Sequence, residues 1–132
     1  MRLYLVRHAE AAAGNPDALR PLTANGRNQA RALAARLRAS GALPDAIVTS
    51  PLLRARETAA LLARELGAEV VADEGLAPGA TPETVARAVA GRGETVVVVG
   101  HQPDCSRIAA ALTGEPEPPF PPAGSLAIQL SP

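Results

Sequence analysis

The sequence predicts an α/β fold with a mainly parallel sheet, because short apolar runs alternate along the chain with segments of helical periodicity. Three of these runs are continuous and bounded by glycine or polar residues, which is typical of strands buried on both faces of a sheet. Two weaker runs complete the pattern. We therefore expect a three-layer α/β/α sandwich with strands at residues 3–6, 46–49, 69–72, 95–99 and 125–130.

The first two helices have recognisable start and stop signals. One is expected over residues 27–40, where apolar residues recur at helical spacing. Thr23 can cap its start and Gly41 can end it. The next should open at Ser50-Pro51, a capping residue followed by a proline in the first turn, and should stop at Gly67.

The later helices repeat these signals. A third helix should begin at Thr81-Pro82-Glu83, and the last should run from Pro103 to Leu112. The segment 115–122 (EPEPPFPP) is rich in proline and predicts an extended surface loop before the last strand. The stretch 11–22 also predicts irregular structure.

Composition limits the possible partners. The chain has 13 basic and 13 acidic residues, so no overall field attracts it to nucleic acid or to an acidic membrane. Aromatic residues make up only 2% of the chain, which leaves no platform for stacking bases. If the protein handles anions, it must do so with a local basic cluster.

The chain length and the cysteine count limit the class of protein. A chain of 132 residues fits one domain, 1–132. Cys105 is the only cysteine, so no internal disulfide can form, as suits a reducing compartment. No apolar run reaches the ~20 residues of a membrane helix. We expect a cytoplasmic monomer. Because the chain has no CxxC, HExxH or GxxxxGK[ST] spacing, we also expect that it binds neither a metal nor a cofactor.

Each of the two histidines directly follows a predicted strand. Arg7-His8 comes after the first strand, and Gly100-His101 comes after the fourth. The carboxyl ends of parallel strands meet at one edge of a sheet, and ligands of open α/β sheets bind there. The sequence therefore predicts that both imidazoles lie at the ligand-binding edge.

Arginines are expected at the same edge. Arg7 adjoins His8, and Arg54 lies in the first turn of the helix after the second strand, where free backbone N–H groups favour anions. Arg20 is a further candidate, although a solvated loop arginine would look the same. Guanidinium groups donate in pairs, which suits phosphate oxygens.

Two histidines with two or three arginines indicate phosphoryl transfer. The arginines would neutralise the oxygens while one imidazole attacks phosphorus and the other assists. An attacking imidazole must be neutral, and the ordinary histidine pKa of about 6.5 already allows this near neutral pH. Water would then hydrolyse the phosphohistidine intermediate.

Four motifs resemble those of the histidine phosphatase superfamily. RHA at residues 7–9 resembles its RHG signature, and RPLTANGRNQA at 20–30 resembles its LTxxGxxQA helix start. SPLLRARET at 50–58 resembles SPxxRxxxT, and GHQP at 100–103 resembles GHxP. The order is that of the family. Because the chain lacks the large insertions of the phosphoglycerate mutase and acid phosphatase branches, it is most similar to the small SixA-type branch of protein phosphohistidine phosphatases.

The resemblance implies a phosphoglycerate mutase-like fold that works without a cofactor. It makes His8 the phosphoryl acceptor, with the phosphate held by Arg7 and Arg54 and contacted by His101 from the other side. The RPLT sequence that begins at Arg20 also resembles the SixA-type branch. The chain departs from the family at Ala9, which replaces glycine but removes no functional group.

The proton donor is the open question. Larger relatives protonate an alkoxide leaving group with a carboxylate, for which Glu10 and Glu74 are the candidates here. A weak or missing acid would handicap esters more than phosphohistidine, because imidazole is the better leaving group. We therefore expect a phosphatase acting on phosphohistidine in a partner protein. The alternatives are a broad phosphomonoesterase on small phosphate esters, and a non-catalytic module that binds a phosphorylated partner.

Overall fold

The structure, a computed structural model, describes residues 1–130. Within them, strands and α-helices alternate in the expected order. The strands are β1 Arg2–Arg7, β2 Ala46–Thr49, β3 Glu69–Ala72, β4 Thr95–Gly100 and β5 Ser125–Gln129. The helices are α1 Ala24–Ala39, α2 Leu53–Leu66, α3 Pro82–Val89 and α4 Asp104–Thr113. Short 3-10 helices at Asp17–Leu19 and Glu74–Leu76 lie in the loops.

The sheet has the strand order β3-β2-β4-β1-β5. Its first four strands are parallel and β5 runs antiparallel to β1, which confirms the expected mainly parallel sheet. Arg7 pairs with Gly100, and Thr49 pairs with Val99. The residues that follow β2, β4 and β1 therefore emerge side by side at one edge.

Two hydrophobic cores, one on each face of the sheet, make the fold three-layered. In β4, Val97 and Val99 pack with α1 and α2, whereas Val96 and Val98 pack with α3 and α4. This alternation follows from the two-residue period of a strand. Burying each valine contributes about 1.5–3 kcal/mol, so the continuous valine run stabilises both layers.

Most helix ends agree with the sequence signals. Thr23 accepts a hydrogen bond from the Gly26 N–H at the start of α1, which begins at Ala24 rather than residue 27. Gly67 ends α2 in the left-handed conformation, with φ of 74°. The prediction that Ser50-Pro51 opens α2 was wrong, because the helix begins at Leu53 and the Ser50 side chain has other partners.

The proline-rich segment is irregular, as predicted, but it is more than a surface loop. Phe120 is only 4% exposed and packs into the core beside α4. The predicted domain boundary at Pro132 lies outside the described residues. Within the described residues, none of the helices is long and apolar enough to cross a membrane.

Candidate active site

The ends of three neighbouring strands bring the two imidazoles together. The backbone N–H of His8 donates to Gly100 O at 3.0 Å, and that of Ser50 donates to Val99 O at 3.0 Å. These bonds extend the sheet pairing by one residue beyond each strand. The rings of His8 and His101 consequently lie with centroids 5.2 Å apart and planes inclined by 60°.

The His8 imidazole has a defined tautomer. Its Nδ1 lies 2.7 Å from the carbonyl oxygen of Ala9. A carbonyl can only accept, so Nδ1 carries the proton and donates, and Nε2 keeps its lone pair. Burial is the main reason that the pKa of His8 is lowered, and the charges of Arg54, Arg7 and Arg20 act in the same direction. The half-buried ring is therefore neutral at pH 7.

His101 is more deeply buried, with 4% of its surface exposed. Its Nε2 lies 2.7 Å from the Ser50 hydroxyl, and its Nδ1 is buried without a hydrogen-bond partner among residues 1–130. Burial, followed by the charges of His8 and Arg54, lowers the pKa of His101 to about 4. This imidazole is also neutral at pH 7, with one ring nitrogen left for a ligand.

Arg7 is fixed by the loop that precedes β5. Its Nη1 donates to Phe120 O at 2.9 Å, and its backbone N–H donates to Gly124 O at 3.0 Å. The same loop reaches His8, whose carbonyl oxygen accepts from the Ala123 N–H. Arg7 Nε is buried without a partner in the described part of the chain. The buried Phe120 therefore anchors a loop that orients the guanidinium.

Arg54 is 7% exposed and is already engaged by a carboxylate. Its Nη1 donates to Asp17 O at 2.9 Å, and its Nη2 donates to Asp17 Oδ2 at 3.2 Å. Arg20 Nη1 contacts the other carboxylate oxygen at 3.0 Å. These hydrogen bonds, that from Arg20 foremost, hold the pKa of Asp17 below its usual value. Asp17, which the sequence motifs did not single out, thus bridges two of the predicted phosphate-binding arginines.

Thr58 is a second residue that motif matching did not explain. Its hydroxyl oxygen accepts from the Ala9 N–H at 3.0 Å, its O–H donates to Arg54 O at 2.8 Å, and the side chain is fully buried. It ties the chain just after His8 to the helix that carries Arg54. The threonine of the SPLLRARET motif therefore fastens two parts of the site together.

Residues of the RPLTANGRNQA motif hold the backbone of Glu10 in a similar way. The Thr23 N–H donates to Glu10 O at 3.0 Å, and Gln29 Oε1 accepts from the Glu10 N–H at 2.8 Å. A β-carbon on Gly26 would lie only 2.0 Å from Glu10 O, so the close approach requires glycine. The motif supports the segment next to the imidazole.

The two candidate proton donors, Glu10 and Glu74, differ in their surroundings. The Glu10 carboxylate accepts from the Thr23 hydroxyl at 2.7 Å and from Asn25 Nδ2 at 3.3 Å, at the start of α1. Glu74 is exposed and begins the 3-10 helix after β3.

Burial raises the pKa of the Cys105 thiol to about 12, so no thiolate is available. Residues 1–130 contain no group of three or more His, Cys, Asp and Glu side chains placed to hold a metal ion.

Comparisons with known proteins give concordant results. Residues 3–78 match the sequence profile of the histidine phosphatase superfamily (branch 1). An uncharacterized protein of Picosynechococcus sp. is 42% identical over an alignment 120 residues long, and the match covers 85% of this chain and 73% of that relative.

Two solved structures with the same architecture carry the SixA name. The protein histidine phosphatase SixA complexed with tungstate has a TM-score of 0.88 at 27% identity, covering 96% of this chain and 86% of that one. A SixA structure from Agrobacterium tumefaciens has a TM-score of 0.85 at 29% identity, covering 98% and 91%.

Proposed function

Because this chain belongs to the histidine phosphatase superfamily, we propose that it hydrolyses phosphohistidine in a partner protein, by way of a phosphoryl group carried on His8. The chain is a phosphatase with a SixA-like fold. One observation supports it above the others. His8 has an unprotonated Nε2, and the buried His101 ring with its unpartnered Nδ1 lies 5.2 Å away between centroids.

Phosphate binding would use donors that are still free or exchangeable. Arg7 has a buried Nε without a partner in residues 1–130, and His101 has such an Nδ1. Arg54 would exchange the Asp17 carboxylate for phosphate oxygens, which fit the same planar fork. In this arrangement, cationic and neutral donors would surround one tetrahedral anion.

In the first step, His8 Nε2 attacks phosphorus. The new N–P bond forms with the nitrogen lone pair, and the bond from phosphorus to the substrate imidazole breaks. The departing imidazole takes a proton from solvent. The His8 ring becomes positively charged, and its Nδ1–H bond to Ala9 O, 2.7 Å long, strengthens because the donor is now cationic.

In the second step, water attacks the phosphoryl group on His8. The water oxygen forms the new bond to phosphorus, the bond to Nε2 breaks, and the electron pair returns to the imidazole. The proton released from water leaves on phosphate or to solvent. Inorganic phosphate departs, and the Asp17 carboxylate can return to Arg54.

The surroundings of the carboxylates favour an N-linked substrate. Glu10 accepts hydrogen bonds from Thr23 and Asn25, and Asp17 is ionised because its pKa is lowered. An ionised carboxylate cannot protonate an alkoxide, whereas imidazole leaves as a neutral base after taking a solvent proton. This difference supports phosphohistidine as the substrate.

One observation favours a second candidate, a broad phosphomonoesterase on small phosphate esters. Glu74 follows β3 at the same edge of the sheet as the histidines, and its side chain is exposed. If a bound ester drew Glu74 toward the leaving oxygen, the missing acid would be supplied. Fast turnover of one ester without action on phosphohistidine would select this candidate.

The test is dephosphorylation of a phosphorylated histidine-containing transfer domain, with a panel of small phosphate esters in parallel. The unaltered protein should release phosphate from phosphohistidine, and His8→Ala should be slower by at least about a thousandfold. Arg2→Ala, at the exposed far end of the same strand, is the matched control and should retain activity. Equal rates for His8→Ala and the unaltered protein would refute the role of His8.

A further inference from the structure

We propose that Ser50 is a positioning residue whose hydroxyl holds His101 as the Nδ1–H tautomer, so that the ring presents an N–H to the transferred phosphoryl group. The catalytic consequence rests on the proposed function. The tautomer itself does not, because it follows from contacts that exist in the protein without any substrate.

The contact is short and shielded from water. Ser50 Oγ lies 2.7 Å from His101 Nε2, and the two residues are 0% and 4% exposed. The same oxygen accepts from the Leu52 N–H at 3.2 Å. The serine hydroxyl has one hydrogen, and a buried O–H without an acceptor is costly. His101 Nε2 is the acceptor within hydrogen-bond distance, so the Ser50 O–H donates to the imidazole.

The direction of this bond determines which nitrogen carries the ring proton. A neutral imidazole has a single N–H, and a nitrogen that accepts cannot be the one that carries it. Since Nε2 accepts from Ser50, the proton is on Nδ1. Nδ1 is the buried atom that lacks a partner within residues 1–130, and a phosphate oxygen would complete its hydrogen bonding.

The fold explains why a serine is available for this contact. Ser50 and His101 follow the neighbouring strands β2 and β4, and the Ser50 N–H donates to Val99 O. A serine before a helix more often caps it, but Leu52 is the residue at the N-cap of α2. The hydroxyl is thereby left to orient the imidazole.

His8 and His101 then offer opposite atoms from the same tautomer. His8 donates from Nδ1 to Ala9 and keeps the Nε2 lone pair for attack. His101 accepts at Nε2 and keeps the Nδ1–H for donation. One ring supplies electrons to phosphorus, and the other stabilises charge on its oxygens. If Nε2 of His101 instead carried the proton, its Nδ1 would face the phosphate with a repulsive lone pair.

The tautomer can be measured directly because the chain has only 2 histidines. In His8→Asn protein labelled with nitrogen-15, the remaining histidine signals in a long-range proton–nitrogen correlation spectrum belong to His101. We expect a protonated Nδ1 and an unprotonated Nε2, with a shift toward the other tautomer in His8→Asn/Ser50→Ala. A protonated Nε2 with Ser50 present, or an unchanged tautomer without its hydroxyl, would overturn the proposal.

Kinetics test the consequence of the tautomer. Ser50→Ala should lower kcat about tenfold with a smaller change in KM, as expected for one lost orienting hydrogen bond. In a His101→Asn background the same substitution should change kcat by less than about twofold, because both act through one contact. Ser40→Ala, which removes an exposed hydroxyl at the end of α1, should change nothing.

The outcomes separate this proposal from the proposed function. Additive losses from Ser50→Ala and His101→Asn would show that Ser50 acts elsewhere and would overturn the positioning role. If the tautomer shifts as expected but neither substitution slows turnover, the role of His101 in catalysis fails, and the positioning role fails with it. Full activity of His8→Ala would refute the proposed function, whereas the tautomer of His101 would still be measured independently.

Discussion

The two sides of the proposed phosphate site are held in different ways. The strand side consists of Arg7, His8 and His101, which lie at the carboxyl ends of β1 and β4. Buried backbone and side-chain groups fix it, among them the carbonyls of Ala9 and Phe120. Two of its buried polar atoms, Arg7 Nε and His101 Nδ1, lack partners within residues 1–130 and so remain available to a ligand.

The loop side consists of Asp17, Arg20 and Arg54, and its charges are already paired. The Asp17 carboxylate contacts both guanidinium groups, yet 64% of its side chain is exposed, compared with 8% for Arg54. An exposed ion pair contributes little and exchanges readily. Buried contacts are therefore concentrated around the proposed nucleophile, whereas Arg54, the arginine proposed to bind phosphate, is paired with an exposed carboxylate that phosphate would replace.

On the loop side, the largest effect is expected from substituting its buried arginine. Arg54→Ala should lower kcat/KM by about 10²–10³, because a preorganised donor to the phosphoryl oxygens is lost. Arg56→Ala, an exposed arginine on the same helix, is the matched control and should retain kcat/KM within about twofold. Similar losses in the two variants would mean that only general positive charge matters on this side.

The strand side should respond most strongly to acid. His101 has a pKa of about 4 when folded, and the ordinary value near 6.5 applies when unfolded, so the unfolded chain binds more protons between these values. The free energy of unfolding should therefore fall as the pH is lowered from 6.5 to 4, by up to about 3 kcal/mol. Urea unfolding across this range measures the fall, which should be smaller in His101→Asn.

Activity should persist over part of the range from pH 6.5 to 4. Both imidazole rings must be neutral for catalysis, and the pKa of His8 is lowered as well as that of His101. The acidic limb of kcat/KM should lie below pH 6.5. An acidic limb at or above this pH would contradict the described burial of the two imidazoles.

Removing a hydrogen bond that holds the strand side should have a moderate effect on stability and on kcat. Thr58→Val keeps the shape but leaves the buried Ala9 N–H without its acceptor, which should cost about 1–3 kcal/mol of unfolding free energy. We expect kcat to fall about tenfold, since Ala9 also orients His8. Thr113→Val is the control, because its exposed hydroxyl likewise donates to a helical carbonyl. Stability loss without any change in kcat would show that the fastening is structural only.

The smallest effect is expected from removing the loop-side carboxylate charge. Asp17→Asn should bind inorganic phosphate about two- to fivefold more tightly, because phosphate no longer competes with an ion pair. Competitive inhibition measures this affinity, and the difference should shrink in high salt. Glu94→Gln removes an exposed charge that follows α3 and should leave the affinity unchanged. Weaker phosphate binding in Asp17→Asn would indicate that the carboxylate orients Arg54 rather than competing for it.

The strand side was the more predictable part of the sequence. Short apolar runs that lead to a histidine identify buried strands and the residues at their ends, since strand burial is a local property of composition. Topology then places those ends at one edge. The bounds of the buried β2 agreed with the expected run for the same reason, and those of the largely exposed β3 agreed as well.

The loop side could not be predicted because its contacts depend on chain geometry outside regular elements. Asp17 looks like any acidic loop residue, and its two arginine partners lie 3 and 37 positions away. Ser50 was misread as a helix cap, because a start signal cannot reveal that another side chain takes the hydroxyl. The buried Phe120 was missed because a proline-rich composition indicates exposure.

The central claim is that the phosphoryl group passes through His8. Rapid quenching during turnover of phosphohistidine substrate, followed by tryptic mass spectrometry at neutral pH, tests it directly. Arginines at 27 and 92 separate the two histidines into different peptides. We predict one added phosphoryl group on the peptide that begins at His8, accumulating within the first turnover. Phosphate released at the full rate with that peptide unmodified, or with the modification on the His101 peptide, would contradict the account.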